Sequence, residues 1–440
     1  MIIQNTYINF LKTSIFYLSF TILFLTAVFT RSFLGLNIGP FLLGQLFVGF
    51  SLLVSCYALV IRKPISYFEI KDSKFNQIYL IIILYFLTRI VLNYGDLSLY
   101  YFKSSSFIWT IGFLYLGLIV YKFSVNSLLL SFGFLSLPFV VYIFQTGNYP
   151  DVIIKIFLNY SDKFQFMKAS DMVIILIVSS FYLKKYYFTD KQYVFWINIL
   201  VVLYYPLVAL NSRGAVVGLV SFYVLDFILN FKNIKKLKFN ILLILIVCQI
   251  IVFSLSSLRL TGVDIQSPDS NISIISEIPS AVSKIVEEKN TQDVFLSFYF
   301  ADSRIFSSDP TTNWRLDIWQ DVVQDLREKN RILRGYGYNE IIPVMTDPSA
   351  PGRLGRDGLN EHVHNYLVTI FARGGLINLF LFLYLHYELI KKFMKSSFGI
   401  YTLCLVLPCF LMSSVDITMD GVQFPLIYYF FIGYFLQNKD

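Results

Sequence analysis

The residues best suited to chemistry lie between Asn313 and Gly375. The stretch opens Asn313-Trp314-Arg315-Leu316-Asp317-Ile318-Trp319 and reaches a glycine turn at Gly335-Tyr336-Gly337. It closes His362-Val363-His364-Asn365-Tyr366, then Arg373-Gly374-Gly375. Two of the chain's three histidines fall here, and the third, His386, follows just beyond. An imidazole can take a proton near neutral pH, so this pair offers a general base for a hydroxyl. The same pair also reads as polar residues opening an apolar span, or as two ligands of a metal site with no clear third and fourth. Arg315 stands between two tryptophans, which suit sugar faces or interfacial anchoring equally well. Asp317 and Asp321, close by in sequence, could simply neutralise Arg315 along the helix.

Other arginines stand out. Arg213, in Asn211-Ser212-Arg213-Gly214-Ala215, sits between two apolar runs. Its fork can donate two parallel bonds to a phosphate, or it can simply snorkel from a tight turn. Arg89 and Arg373 lie within apolar runs, where a charge is a functional candidate by default. On one continuous helix Arg373 falls about half a turn out of phase with His364. Asp416 and Asp420 flank the last outer turn and are placed to steady a basic residue.

The elements that must position these groups are membrane helices. The chain is 56% hydrophobic and 15% charged, an integral-membrane composition. Its 45 Phe and 31 Tyr suit lipid-facing surfaces and interfacial belts. Cys56, Cys248, Cys404 and Cys409 all fall in apolar segments, as small buried hydrophobes do. About twelve apolar runs are long enough to cross a bilayer. They lie near 13–31, 40–61, 77–95, 105–121, 125–144, 171–187, 193–211, 214–231, 239–257, 365–388, 398–415 and 421–437. The first, which follows Lys12, reads as a retained span, not a cleaved signal.

Lysine and arginine set the orientation. With both termini cytoplasmic, the inner segments carry 17 basic residues and the short outer connections six. The net charge of +8 is therefore an anchoring feature and not a nucleic-acid signature. Residues 1–257 form nine spans, 258–362 a periplasmic cap loop, and 363–440 the last three spans. The cap contains a short amphipathic helix over Ile272–Glu288. A second helix runs from Asn313 to about Lys329, capped by Thr311 or Thr312, with Trp314, Ile318 and Val322 on one stripe. Gln145–Ser170 is a smaller outer segment suited to lie flat at the interface. The chain carries no Walker loop, which argues against ATP-driven transport.

The ordered set is an outer Ser-Arg-Gly-Ala turn, a long outer loop, Arg315-x-x-x-Trp319, Gly335-Tyr336-Gly337, and His362-x-His364-Asn365-Tyr366 opening a span with Gly374-Gly375. In this order it resembles the O-antigen polymerase and O-antigen ligase superfamily of bacterial envelope glycosyltransferases. The likeness covers about Asn211 to Leu436; the first half matches in hydropathy alone. The resemblance implies an all-α, GT-C-like polytopic fold in the inner membrane, with the active site facing the periplasm. It implies a donor saccharide on undecaprenyl pyrophosphate and an inverting transfer with no metal or other cofactor. By motif, Arg213 and Arg315 become pyrophosphate binders and His364 the base. His362, Asn365 and Tyr336 line the substrate, and Arg89 is a candidate by position only. The long cap and the abundant Tyr and Phe favour a polymerase, for which the lipid-linked oligosaccharide is both donor and acceptor. That reading adds a chain-length regulator as a partner. A ligase, which moves the glycan to lipid A-core, shares every motif. A flippase of lipid-linked oligosaccharide is the alternative from another class, but its key polar groups belong at the bilayer midplane.

Overall fold

Helices make up nearly all of the regular structure, as they must where lipid offers no water to peptide groups. The computed structural model describes residues 2–60, 74–92, 100–124, 127–145, 149–162, 167–235, 237–260, 298–301, 303–350, 352–354, 361–396 and 398–436. The expected helix over Ile272–Glu288 lies outside the described residues.

In chain order the helices are α1 (Ile2–Leu34), α2 (Leu43–Val60), α3 (Lys74–Leu92), α4 (Tyr100–Ser104), α5 (Ser106–Trp109), α6 (Phe113–Lys122), α7 (Leu128–Gln145) and α8 (Asp151–Tyr160). Then come α9 (Ala169–Tyr186), α10 (Asp190–Asn211), α11 (Arg213–Lys235), α12 (Phe239–Leu260), α13 (Pro310–Glu328), α14 (Tyr366–Phe393), α15 (Leu403–Val415) and α16 (Gln423–Leu436). Two antiparallel hairpins join them, β1 (Asn37–Ile38) with β2 (Phe41–Leu42) and β3 (Phe298–Ala301) with β4 (Arg304–Ser307).

Each of the twelve apolar runs lies on helix. Among the described residues six helices are long and apolar enough to cross a membrane, within α1, α3, α10, α11, α12 and α14; five shorter apolar helices accompany them. This is a multi-pass, all-α membrane architecture. Helix α9 is its centre, buried at every position from Ala169 to Leu183, as a helix apolar on all sides must be. Helices α6 and α16 approach closely because Gly117 and Gly433 carry no Cβ. A Cβ would stand 2.0 Å from the Phe430 carbonyl at Gly117 and 2.0 Å from that of Leu114 at Gly433.

The run near 105–121 is not one helix. It breaks at Ser105 and again at a 3-10 turn over Thr110–Gly112. Here serine hydroxyls bond elsewhere: Ser104 Oγ donates to the Tyr338 carbonyl at 2.6 Å and Ser106 Oγ to Asp420 at 3.0 Å. The segment between α7 and α9 holds α8, whose Val152, Ile156 and Leu158 are exposed, in keeping with an interfacial helix.

The cap helix α13 begins at Pro310, three positions earlier than its composition suggested. Asp309, and neither Thr311 nor Thr312, is its cap: the Asp309 side chain accepts the Thr312 N–H at 2.8 Å, and proline takes the first position. Ile318, Val322 and Leu326 bury the predicted stripe, with Trp314 at its edge. The carboxylates on the opposite side do not serve Arg315. Asp317 and Asp321 each bind Arg304 and Arg353, which ties α13 to β4 and to the loop after Pro343.

Beyond α13 the Gly-Tyr-Gly turn plugs a break in α14. The helix is interrupted at Gly375, whose φ is 69°. Tyr336 and Gly337 donate to the carbonyls of Ala372 and Arg373 at 2.8 and 3.0 Å, and Leu376 donates back to the Ile332 carbonyl at 2.8 Å. The broken helix thus has its freed backbone groups satisfied by the turn. The contact has no room for a side chain: a Cβ on Gly375 would stand 2.3 Å from the Leu333 carbonyl.

Candidate active site

His364 sits in the short loop that enters α14, and two tryptophans of α13 hold that loop. Trp319 Nε1 donates to the Val363 carbonyl at 2.6 Å, and the Trp314 ring meets the His364 ring edge-on at 5.2 Å. Asn365, expected to touch substrate, is the cap of α14: its side chain accepts the Val368 N–H at 3.1 Å. His364 itself has φ 52°, in the left-handed region. A non-glycine residue there costs about 1–3 kcal/mol and persists only where its surroundings impose it.

Arg213 opens α11. Its guanidinium pairs with Asp309, the buried cap of α13, so one carboxylate fixes both an arginine and a helix. Burial raises the Asp309 carboxyl, but the bonds from Arg213 and Thr312 outweigh it and hold it below its ordinary value. Gly214 lets α11 pack directly on Asp416, where a Cβ would come within 3.1 Å. This accounts for the glycine of the Ser-Arg-Gly-Ala turn.

Arg315 reaches from the first turns of α13 to the carbonyl of Val415, the last residue of α15. Its Nε is buried and has no hydrogen-bond partner. Burial weighs against its charge, Asp416 supports it and Arg213 opposes it, with a net lowering of its pKa. Arg315 in turn acts on the histidine. Burial first, then Arg315, lowers the His364 pKa from 6.5 to about 4, against an opposing pull from Asp416. His364 is therefore a neutral imidazole at neutral pH. Lys168, just ahead of α9, also lies close enough to act on it.

His362 is turned to a different task. Its Nδ1 lies 2.6 Å from Asp420 Oδ2, and Asp420 also accepts from Ser106 Oγ and the Gly421 N–H. Burial raises the Asp420 carboxyl, yet these bonds hold it below its ordinary value. Tyr336 is buried and pinned, its hydroxyl donating to Asp325 at 2.7 Å. The structure thus gives Asn365 and Tyr336 positioning duties. Arg89 lies in the last turn of α3, near Tyr85 and Tyr338 and the break in α14. His386 is buried in the bundle between the Phe382 carbonyl and the Tyr429 hydroxyl.

Arg213, Arg315 and His364 therefore come together from two helices and the loop that enters α14, at one end of the bundle, with Asp309 and Asp416 among them. Asp309 and Lys168 escaped sequence reasoning. The Ser-x-Asp-Pro start of α13 was the signal for Asp309; Lys168 carries none. This arrangement defines a class, a polytopic helical membrane protein with a cationic, histidine-bearing site at one end.

Comparison with known proteins bears on the family. Residues 198–383 match the family model described as O-antigen ligase, which supports the O-antigen polymerase and ligase superfamily. Members of that family are glycosyltransferase-like enzymes. The match takes in Arg213, Arg315 and His364 and stops short of Asp416 and Asp420. No curated protein matches the chain.

Proposed function

We propose that this protein is a polysaccharide polymerase that joins undecaprenyl-pyrophosphate-linked repeat units at the periplasmic face of the inner membrane. Both termini face the cytoplasm in this reading. One observation carries it: a neutral, strained histidine stands beside Arg315, within the field of the Arg213–Arg315 pair.

The pair takes the pyrophosphate of the growing chain, with Arg213 exchanging Asp309 for a phosphate oxygen. A dianion beside Arg315 offsets the share of the His364 depression that Arg315 adds to burial, so donor binding raises the basicity of the imidazole. His364 then removes the proton of an acceptor sugar hydroxyl. That oxygen attacks the anomeric carbon from the face opposite the pyrophosphate. The carbon–oxygen bond to the pyrophosphate breaks, its electron pair leaves with the phosphate, and the configuration inverts. The arginines stabilise the charge that develops there, a role that requires no metal ion.

A ligase acting on lipid A-core is the second reading, and the description of the matching family favours it. The acceptor decides. Purified protein in nanodiscs is given one lipid-linked repeat unit alone, and products are run on a gel. A ladder of lipid-linked chains means a polymerase. Product only after lipid A-core is added means a ligase. Absence of product with either acceptor would contradict glycosyl transfer and leave the transporter.

A further inference from the structure

We propose that His362 selects the acceptor hydroxyl: its Nε2 accepts a hydrogen bond from a sugar hydroxyl next to the one that His364 deprotonates. The inference rests on the polymerase reading. A polymerase that builds one linkage must tell apart several similar hydroxyls on one sugar ring. The base alone does not distinguish them, since any hydroxyl brought to it can lose a proton. A second, fixed contact to the same ring is required.

His362 has the geometry for that contact. Its Nδ1 lies 2.6 Å from Asp420 Oδ2, so the proton of the neutral ring sits on Nδ1 and the lone pair on Nε2. The carboxylate is itself held. Its other oxygen accepts from Ser106 Oγ and from the Gly421 N–H, each at 3.0 Å. One residue earlier, Glu361 is paired with Lys103 of α4 at 2.6 Å. One residue later, the Val363 carbonyl is held by Trp319 of α13. The ring is thus fixed from α4, α5, α13 and the turn after α15, as a group that reads a substrate must be. It is also open. The side chain is 33% exposed, and among the described residues Nε2 makes no hydrogen bond.

Its position points to the acceptor. His362 and His364 stand on either side of Val363, which is buried. Two residues span at most roughly 7 Å. Two imidazole nitrogens that far apart, each bonded at roughly 3 Å, reach neighbouring hydroxyls of one ring. The two sides of the pair differ in charge. His364 meets the Trp314 ring at 5.2 Å, beside Arg315 on α13. His362 is backed by a carboxylate. A pyrophosphate is drawn to the first side and repelled from the second, which suits a neutral sugar with hydroxyls to donate.

The test uses the full chain in nanodiscs with unlabelled lipid-linked repeat unit as donor. The acceptors are repeat units radiolabelled in the lipid, which the acceptor keeps and the donor sheds. Only use as an acceptor then carries label into longer chains. Linkage analysis of the wild-type product identifies the attacked hydroxyl, and acceptors lacking one hydroxyl beside it are compared with the native unit. In the wild type one such deoxy acceptor should show a KM about tenfold higher. In His362→Ala the native acceptor should rise to that same value, and the deoxy acceptor should not change. Asp420→Asn, which lets the ring take the other tautomer, should narrow the gap between the two acceptors at unchanged protein level. Equal losses for both acceptors in His362→Ala would make the residue architectural, and a wild type indifferent to every deoxy acceptor would leave it no hydroxyl to read. Either result overturns the assignment while leaving the polymerase reading intact. A wild type that does not elongate the native acceptor overturns the polymerase reading, and the assignment with it.

Discussion

The two ends of α13 both gather arginines, but they treat them differently. At the far end Arg373 bonds two backbone carbonyls and a tyrosine hydroxyl, and it holds the Gly-Tyr-Gly turn against a broken helix. At the near end Arg315 bonds one carbonyl and faces a histidine that burial first, and then the Arg315 charge, keeps neutral. One arginine stabilises architecture. The other imposes an electrostatic cost on its neighbours that an anion would relieve. An arginine in an apolar run signals function only when its donors are not already consumed by the fold.

This contrast can be broken from either side. His364→Ala should lower glycosyl transfer by about 10²–10⁴-fold, the usual worth of a general base, with protein level unchanged. Polymer formation at the wild-type rate would remove His364 from the chemistry. Gly375→Ala should act on the architecture instead. Its φ of 69° and the Leu333 carbonyl 2.3 Å from any Cβ leave no accommodation. A loss of about 3 kcal/mol or more is expected, seen as early unfolding in detergent. Unchanged unfolding would mean that the plug is not a tight contact.

Arg213→Lys should reduce kcat/KM by about tenfold, since lysine keeps the charge and loses the fork. Full activity would reduce Arg213 to a partner of Asp309. The smallest effect is expected from Asp309→Asn, which keeps a cap acceptor for α13 and removes the charge that competes for Arg213. The donor KM should fall about two- to threefold, the scale of a partly exposed ion pair. A rise in KM would show that Asp309 positions the arginine more than it competes for it.

Much of this was legible in the chain. Apolar runs announced the helices, and the motif order grouped Arg213, Arg315 and His364, which lie near one another in the structure. What was not legible depends on contacts between distant segments. Nearness in sequence offered Asp317 and Asp321 as partners for Arg315, but at i+2 and i+6 they do not share its face, and Arg304 and Arg353 claim both from outside the helix. Helical phase set Arg373 apart from His364, but His364 precedes the helix and Gly375 breaks it. Asn365 and Tyr336 sit within the motifs and serve as a cap and a pin, because a strained histidine needs a rigid frame. The break of the fourth run followed from Ser104 and Ser106 finding partners in Tyr338 and Asp420, far away in sequence.

The most direct test of the account is the titration of His364 itself. The chain has three histidines, so a ¹⁵N-histidine spectrum of the full protein in nanodiscs can be assigned with His364→Ala. The imidazole should stay neutral as the pH falls below 6.5 and take its proton only near about 4. Across that window the unfolded chain binds a proton that the folded site refuses, so this group lowers stability as the pH falls. Arg315→Gln, or inorganic pyrophosphate added to the wild type, should move the titration upward. A resonance that titrates at 6.5 and responds to neither would contradict a base held in reserve by Arg315 and released by the donor.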